Sequence, residues 1–176
     1  LTYFFNQLNA KIFKSEKIDT HGGSIRVYVK KDKKIKIDIS VKKMLQEEEK
    51  FGIKNFETYQ KFGREVYKIR ENVLKNIKEL KKNNSIIIGY GAPAKATTAL
   101  NFFGISNEIE FIVEDNKLKH NKFVPGVKIP IKNKTAIKNK NNILLVLAWN
   151  FYEDIKKNNS NLSDNFVNIK SLESSN

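Results

Sequence analysis

Between Ser85 and Phe103 the chain reads SIIIGYGAPAKATTALNFF. Three isoleucines run into a glycine turn, and a segment with helical spacing leaves it. This stretch restricts the fold more than any other. A strand with no polar face must be covered on both sides, which points to a parallel sheet sheathed by helices. The same alternation continues downstream. Ile109–Val113, Ile143–Leu147 and Phe166–Ile169 read as strands and Val127–Ile131 as a weaker one, while Pro93–Phe103 and Phe151–Lys157 read as helices. Residues 85–176 are therefore predicted to form an α/β domain with a parallel sheet.

Upstream the pattern differs. Leu1, Phe4, Phe5, Leu8 and Ile12 recur at helical spacing, which predicts a helix to about Phe13. Ile25, Val27 and Val29 alternate with polar neighbours as a strand does. Phe13–Asp19 reads as its partner, with His21-Gly22-Gly23 joining the two and Lys30–Lys36 forming a charged exit. Ser40 is positioned to cap a helix that runs through Phe51 and stops at Gly52. After Asn55, apolar residues from Phe56 to Leu80 step by three or four without a break, predicting one long amphipathic helix. That stripe is a packing face rather than a cofactor box. The last residues, Glu173–Asn176, read as a frayed tail. Leu1 opens inside an apolar helical pattern, so the chain reads as a piece of something longer.

Charge and composition narrow the function classes. The net charge is +14, yet the only arginines are Arg26, Arg64 and Arg70. Base readout and bidentate phosphate recognition favour arginine, so the lysine excess reads as solvated surface and no specific nucleic-acid partner is expected. It still draws anionic ligands. With no cysteine there is no disulfide, thiolate metal site or thiol nucleophile, and His21 and His120 alone make a metal site unexpected. The longest apolar run, Ile143–Trp149, is too short to span a bilayer, so no membrane association is expected. With no secretory signal pattern, a cytoplasmic location is predicted.

Gly89-Tyr90-Gly91-Ala92-Pro93-Ala94 fits the G-x-G-x-x-A form of a phosphate-binding turn. On this reading Gly89 permits the tight turn, Gly91 lets the backbone approach a phosphate, and Ala94 is small enough for helix–strand packing. The helix start presents N–H groups and a positive dipole end to an anion. Pro93 suits its first turn. Lys95 can neutralise a phosphate as a point charge, and Glu114-Asp115 follows the next strand, where the fingerprint expects an acid. The alternative is a turn that serves only packing, with Lys95 merely solvated. His21, beside Gly22 and Gly23, lies on open backbone where an imidazole can act as acid, base or donor, or simply be exposed. Asn150 ends the most hydrophobic strand, where it can cap the following helix or face a ligand.

Taken in order, THGGSIRVYV, IIIGYGAPAKATTALNFFGI, EDNKLKHNKFVPGVKIPI and LAWNF resemble the carboxyl-terminal part of the S-adenosylmethionine-dependent sugar C-methyltransferases. The resemblance implies that residues 1–36 are the last helix and hairpin of a methyltransferase domain. It makes 37–84 connecting helices and 85–176 a Rossmann-like terminal domain. It implies a nucleotide-linked sugar as ligand, with Gly22, Gly23, Gly89, Tyr90, Gly91, Ala92, Lys95, Glu114 and Asn150 lining it and His21 nearest the chemistry. In such enzymes a base removes the proton beside a keto group, and the enolate takes the sulfonium methyl.

The chain also departs from the family. It lacks the zinc-ligand cysteines, the glycine loop for the methyl donor, and the tyrosine–glutamate–histidine stretch that would precede Leu1. Ala96 replaces a usual glycine, and Asp154 a glutamate. The expectation is a chain that binds no cofactor itself and is inactive alone, with S-adenosylmethionine held by a separate or upstream methyltransferase domain. The rival readings are an NAD(P)-binding oxidoreductase domain and a non-catalytic, basic polyanion-binding protein.

Overall fold

The computed structural model describes residues 1–20, 22–32, 34–82 and 85–174. It divides into two compact units, Leu1–Gly63 and Arg64–Asn176. In the first, helix α1 (Thr2–Gln7) precedes an antiparallel hairpin of β1 (Lys11–Ile18) and β2 (Ser24–Lys30), followed by helix α2 (Ile39–Phe51). The opening helix is shorter than its apolar spacing predicts. Asn9 adopts φ +53° and the Ala10 N–H turns back to the Phe5 carbonyl at 3.0 Å, which releases Ile12 into β1, where it is buried. Ser40 does not cap α2. Asp38 does so, accepting from the Ser40 N–H at 2.8 Å, while the Ser40 hydroxyl accepts from the Ser15 N–H at 3.1 Å and ties α2 to β1. The helix stops as expected at Gly52, whose φ of +80° is left-handed.

Helix α3 (Phe56–Leu80) is the single uninterrupted helix that the stripe predicts. In the second unit its buried Val73 and Ile77 join the largest apolar cluster of the chain. The sheet of this unit contains β3 (Ile87–Tyr90), β4 (Ile109–Val113), β5 (Lys122–Phe123), β6 (Pro130–Lys132), β7 (Ile143–Val146) and β8 (Asn165–Asn168). They lie in the order β5-β6-β4-β3-β7-β8, and every neighbouring pair is parallel except β5 with β6. Helices α4 (Ala94–Phe103) and α5 (Tyr152–Asn158) complete an α/β, Rossmann-like domain. Ala96 and Leu100 of α4 share a cluster with Val73, Ile77, Ile87, Ile112, Leu145 and Leu147. Tyr152 and Ile155 of α5 pack instead on Ile88, Phe111, Val113, Leu144 and Val146. The alternation of side chains along β3 and β7 thus feeds two separate cores, as the all-apolar strands require.

Two expectations fail here for local reasons. The weak strand at Val127–Ile131 begins only at Pro130, because the preceding residues form a tight loop. The Val124 N–H meets the Ile129 carbonyl and the Lys128 N–H the Val124 carbonyl, each at 2.9 Å, with Gly126 and Lys128 at positive φ. This loop folds β5 back on β6, a pairing the sequence reading missed. Nor is the end of the chain wholly frayed. Ile169–Glu173 is a 3-10 turn, and the Asn76 amide donates to the carbonyls of Leu172 (2.9 Å) and Ser174 (3.0 Å). Asn72 does the same to Glu173 at 2.9 Å. Among the described residues no helix is long and apolar enough to cross a membrane.

The core makes a direct prediction. Leu100 and Ile77 are fully buried, so Leu100→Ala or Ile77→Ala should each cost about 2–5 kcal/mol in chemical denaturation. Phe62→Ala removes a ring that is 68% exposed and should shift stability by only about 0.5 kcal/mol.

Candidate ligand-binding crevice

From β3 the chain builds β4 and β6 on one side and only later adds β7 and β8 on the other. The order therefore reverses between β3 and β7. In open parallel sheets the ligand crevice lies at such a point, outside the carboxyl ends of the strands. Here the two lips are Tyr90-Gly91-Ala92 and Leu147-Ala148-Trp149. They are joined at their base, where the Leu147 N–H donates to the Tyr90 carbonyl at 2.9 Å.

The two glycines of the turn do different work from what the fingerprint suggests. Gly89 lies within β3, and a Cβ there would meet Ile112 Cγ1 at 2.7 Å and Leu147 Cδ1 at 3.0 Å. It is small because strands and core close over it, not because the chain turns. The turn belongs to Gly91, with φ +85° and a Cβ position 3.0 Å from Ala148 Cβ. The backbone N–H groups are also less free than expected. Gly91 donates to the Val113 carbonyl and Ala92 to Glu114 Oε2, both at 2.8 Å. Pro93 has no N–H and occupies the cap position of α4 rather than its first turn. Only Ala94 and Lys95 then remain with N–H groups that α4 cannot satisfy, at its positive end.

Glu114 is the most heavily engaged side chain of the crevice. Besides Ala92, it accepts from the Asn116 N–H at 3.1 Å on Oε1 and from Lys119 Nζ at 3.3 Å on Oε2. Lys119 also donates to the Ala92 carbonyl at 3.0 Å, so the Glu114–Lys119 pair grips both ends of that peptide. His120 Nε2 donates to the Glu114 carbonyl at 2.7 Å. Burial pushes the Glu114 carboxyl up, but the Asn116 and Ala92 N–H groups and the Lys119 ammonium outweigh it and hold the pKa below the ordinary range.

Lys95 is exposed at the first turn of α4, with its ammonium 5.5 Å from the centre of the Trp149 ring. Asn150 follows Trp149 in a 3-10 turn and is exposed. It does not cap α5, which starts at Tyr152 without a side-chain cap. The side chain of Tyr90 belongs to the α5 side of the sheet, away from the Gly91 contacts, and is only 2% exposed. Its hydroxyl bonds Asp115 Oδ2 at 2.9 Å and Asn159 Oδ1 at 3.3 Å. Lys134 closes the group, at 2.6 Å from Asp115 and 2.7 Å from Asn159. Burial raises the Tyr90 pKa, while Lys134 and Tyr90 together overcome burial to lower that of Asp115.

Gly89, Gly91, Ala92, Lys95, Glu114 and Asn150 thus gather at the carboxyl edge of one sheet. Gly22 and Gly23 belong to the other unit, at φ +87° and +113° with open space around both. His21 lies outside the described residues. The sequence reading named Asp115 only beside Glu114 and missed Lys119, Lys134 and Asn159; the charged run EDNKLKHNK carried no signal of which of its members pair. Among the described residues no group of three acidic or histidine side chains could hold a metal ion.

Comparison with known proteins gives two concordant findings. Residues 19–169 match the family model of the C-methyltransferase C-terminal domain. Over 152 residues the chain is 30% identical to the C-methyltransferase NovU of Streptomyces niveus, an alignment covering 84% of this chain and 36% of that protein. The chain therefore spans about a third of the length of that curated relative.

The Glu114 contacts predict a pH-dependent stability. Glu114→Gln removes the charge facing Lys119 and should cost about 1–3 kcal/mol near neutral pH. Because the folded pKa is depressed, this contribution is complete above the unfolded value and is lost as pH falls through the folded one. Urea titrations should show the gap between parent and Glu114→Gln narrowing below about pH 4.

Proposed function

The chain belongs to the C-methyltransferase C-terminal domain family, and from that membership we propose that it binds a nucleotide-linked sugar and orients it for methyl transfer at carbon. One observation carries the reading. The switch-point crevice between β3 and β7 has Lys95 at its mouth, beside the first turn of α4. Two uncommitted N–H groups, a positive helix end and an exposed ammonium suit the phosphates of a nucleotide. The sugar extends from that anchor along the carboxyl edge of the sheet.

The residues present do not fit the methyl donor. Among the described residues the only strand–glycine–helix turn is that of Gly91, and the acid following its second strand is already engaged. Adenosine recognition at such turns uses a carboxylate with oxygens free for the ribose diol. Here Ala92 and Lys119 occupy Oε2 of Glu114 and Asn116 bonds Oε1, which leaves a single acceptor site where a diol needs two. The chain is accordingly proposed to hold the sugar, with the donor on a separate or upstream methyltransferase domain, and not to transfer methyl groups alone. The same engagement of Glu114 weighs against an NAD(P) dehydrogenase. Its pyrophosphate would also need the Gly91 and Ala92 N–H groups, which the sheet and Glu114 occupy.

Calorimetric titration with a thymidine diphosphate-sugar and with NADH tests this reading. The sugar nucleotide should bind and NADH should not. Lys95→Ala should weaken the former by about 1–2 kcal/mol, as one charge-assisted hydrogen bond would, and Lys95→Glu by more. Lys140→Ala, far along the surface, should leave it unchanged. Gly91→Val is a poor probe, because its side chain would meet Ala148 at a positive φ and disturb the turn itself. Equal affinity of parent and Lys95→Glu would exclude the α4 end as the phosphate site.

A further inference from the structure

We infer that Lys95 is a shared cation, divided between the face of Trp149 and a phosphate of the ligand, so that Trp149 sets how tightly the crevice holds phosphate. The inference rests on the nucleotide-sugar reading and extends it to a residue outside the glycine turn. Lys119 and Lys134 stand at the same sheet edge, but each is bound by a carboxylate, Glu114 and Asp115 respectively. Among the described residues no carboxylate pairs with Lys95; its partner is the indole, 5.5 Å away.

The two partners of Lys95 differ in strength and in freedom. A phosphate offers a short, charge-assisted hydrogen bond, whereas an exposed cation–π contact gives only a few-fold preference. Trp149 is partly buried and packs against the cluster that contains Leu145 and Leu147. The ring is therefore anchored and cannot follow the ammonium. On this inference, reaching the phosphate draws the ammonium off the indole face, and the affinity for phosphate is lowered by what that contact was worth. Trp149 is also the only tryptophan of the chain, so its fluorescence reports the ammonium's departure.

This leads to an unusual expectation: trimming an aromatic residue at the mouth of a binding crevice should tighten binding. With inorganic pyrophosphate as the probe, Trp149→Leu should bind about two- to fivefold more tightly than the parent by calorimetry. Trp149→Phe, which keeps a weaker π face and disturbs the packing less, should fall between them. In a Lys95→Met background the Trp149 substitutions should have no effect, which is the coupling a double-mutant cycle measures. Pyrophosphate should change Trp149 fluorescence saturably in the parent and not in Lys95→Met. Circular dichroism identifies variants that retain the fold. Parent-like or weaker binding by folded Trp149→Phe and Trp149→Leu overturns the inference, as does a tightening that persists without Lys95. Failure of the parent to bind pyrophosphate overturns the phosphate contact of the nucleotide-sugar reading and this inference with it. Pyrophosphate binding that is indifferent to Trp149 overturns this inference alone.

Discussion

The carboxylate of Glu114 holds the crevice together. It sits just beyond β4, yet through the Ala92 N–H it fixes the chain just beyond β3, and through Lys119 it also reaches the Ala92 carbonyl. A peptide gripped at both its N–H and its C=O has little rotational freedom. The next residue is Pro93, whose ring locks its own φ, and α4 begins directly after it. The direction of α4, and with it the position of Lys95, is thus set from the neighbouring strand. Without the carboxylate, a half-buried amide would lose its acceptor, which is a costly arrangement in a packed interior.

The opposite side of the sheet has a matching device. Tyr90 lies between the two glycines, and strand alternation sends its side chain away from them. There it meets Asp115, Lys134 and Asn159, drawn from the ends of β4, β6 and α5. Adjacent residues Glu114 and Asp115 therefore brace the same turn from opposite faces, one through backbone and one through a tyrosine hydroxyl. Gly91 can keep its left-handed conformation and its close approach to Ala148 because both neighbours are held. Lys95 stands exposed at the same edge, beside Trp149.

Membership in a C-methyltransferase family and a coverage of 36% of one member give this architecture its functional sense. In the proposed function, a crevice with an exposed lysine at its mouth holds and presents a charged substrate. The chemistry of carbon methylation makes separate demands, a base and a methyl donor, and in the proposed function the donor is held elsewhere.

Periodicity and turn chemistry are local, and what depended on them was legible. The isoleucine strand, a glycine turn after it, Ile109–Val113 and the unbroken stripe of α3 follow from spacing, and Gly52 ends its helix because only a residue without a Cβ takes that φ cheaply. The order of the sheet and the partners of its polar groups were not legible. Gly89 looks like a turn glycine until Ile112 and Leu147 are placed over it. Glu114 looks like a ribose ligand until Ala92, 22 residues earlier, is found bonded to it. The tail looks frayed until Asn76, 96 residues before Leu172, holds it down. Sequence alone settled most of the strands and helices, because backbone sterics and side-chain spacing act within a few residues. Only the tertiary structure decided which polar groups remain available to a ligand, because their competitors are brought from distant parts of the chain by the packing of the sheet.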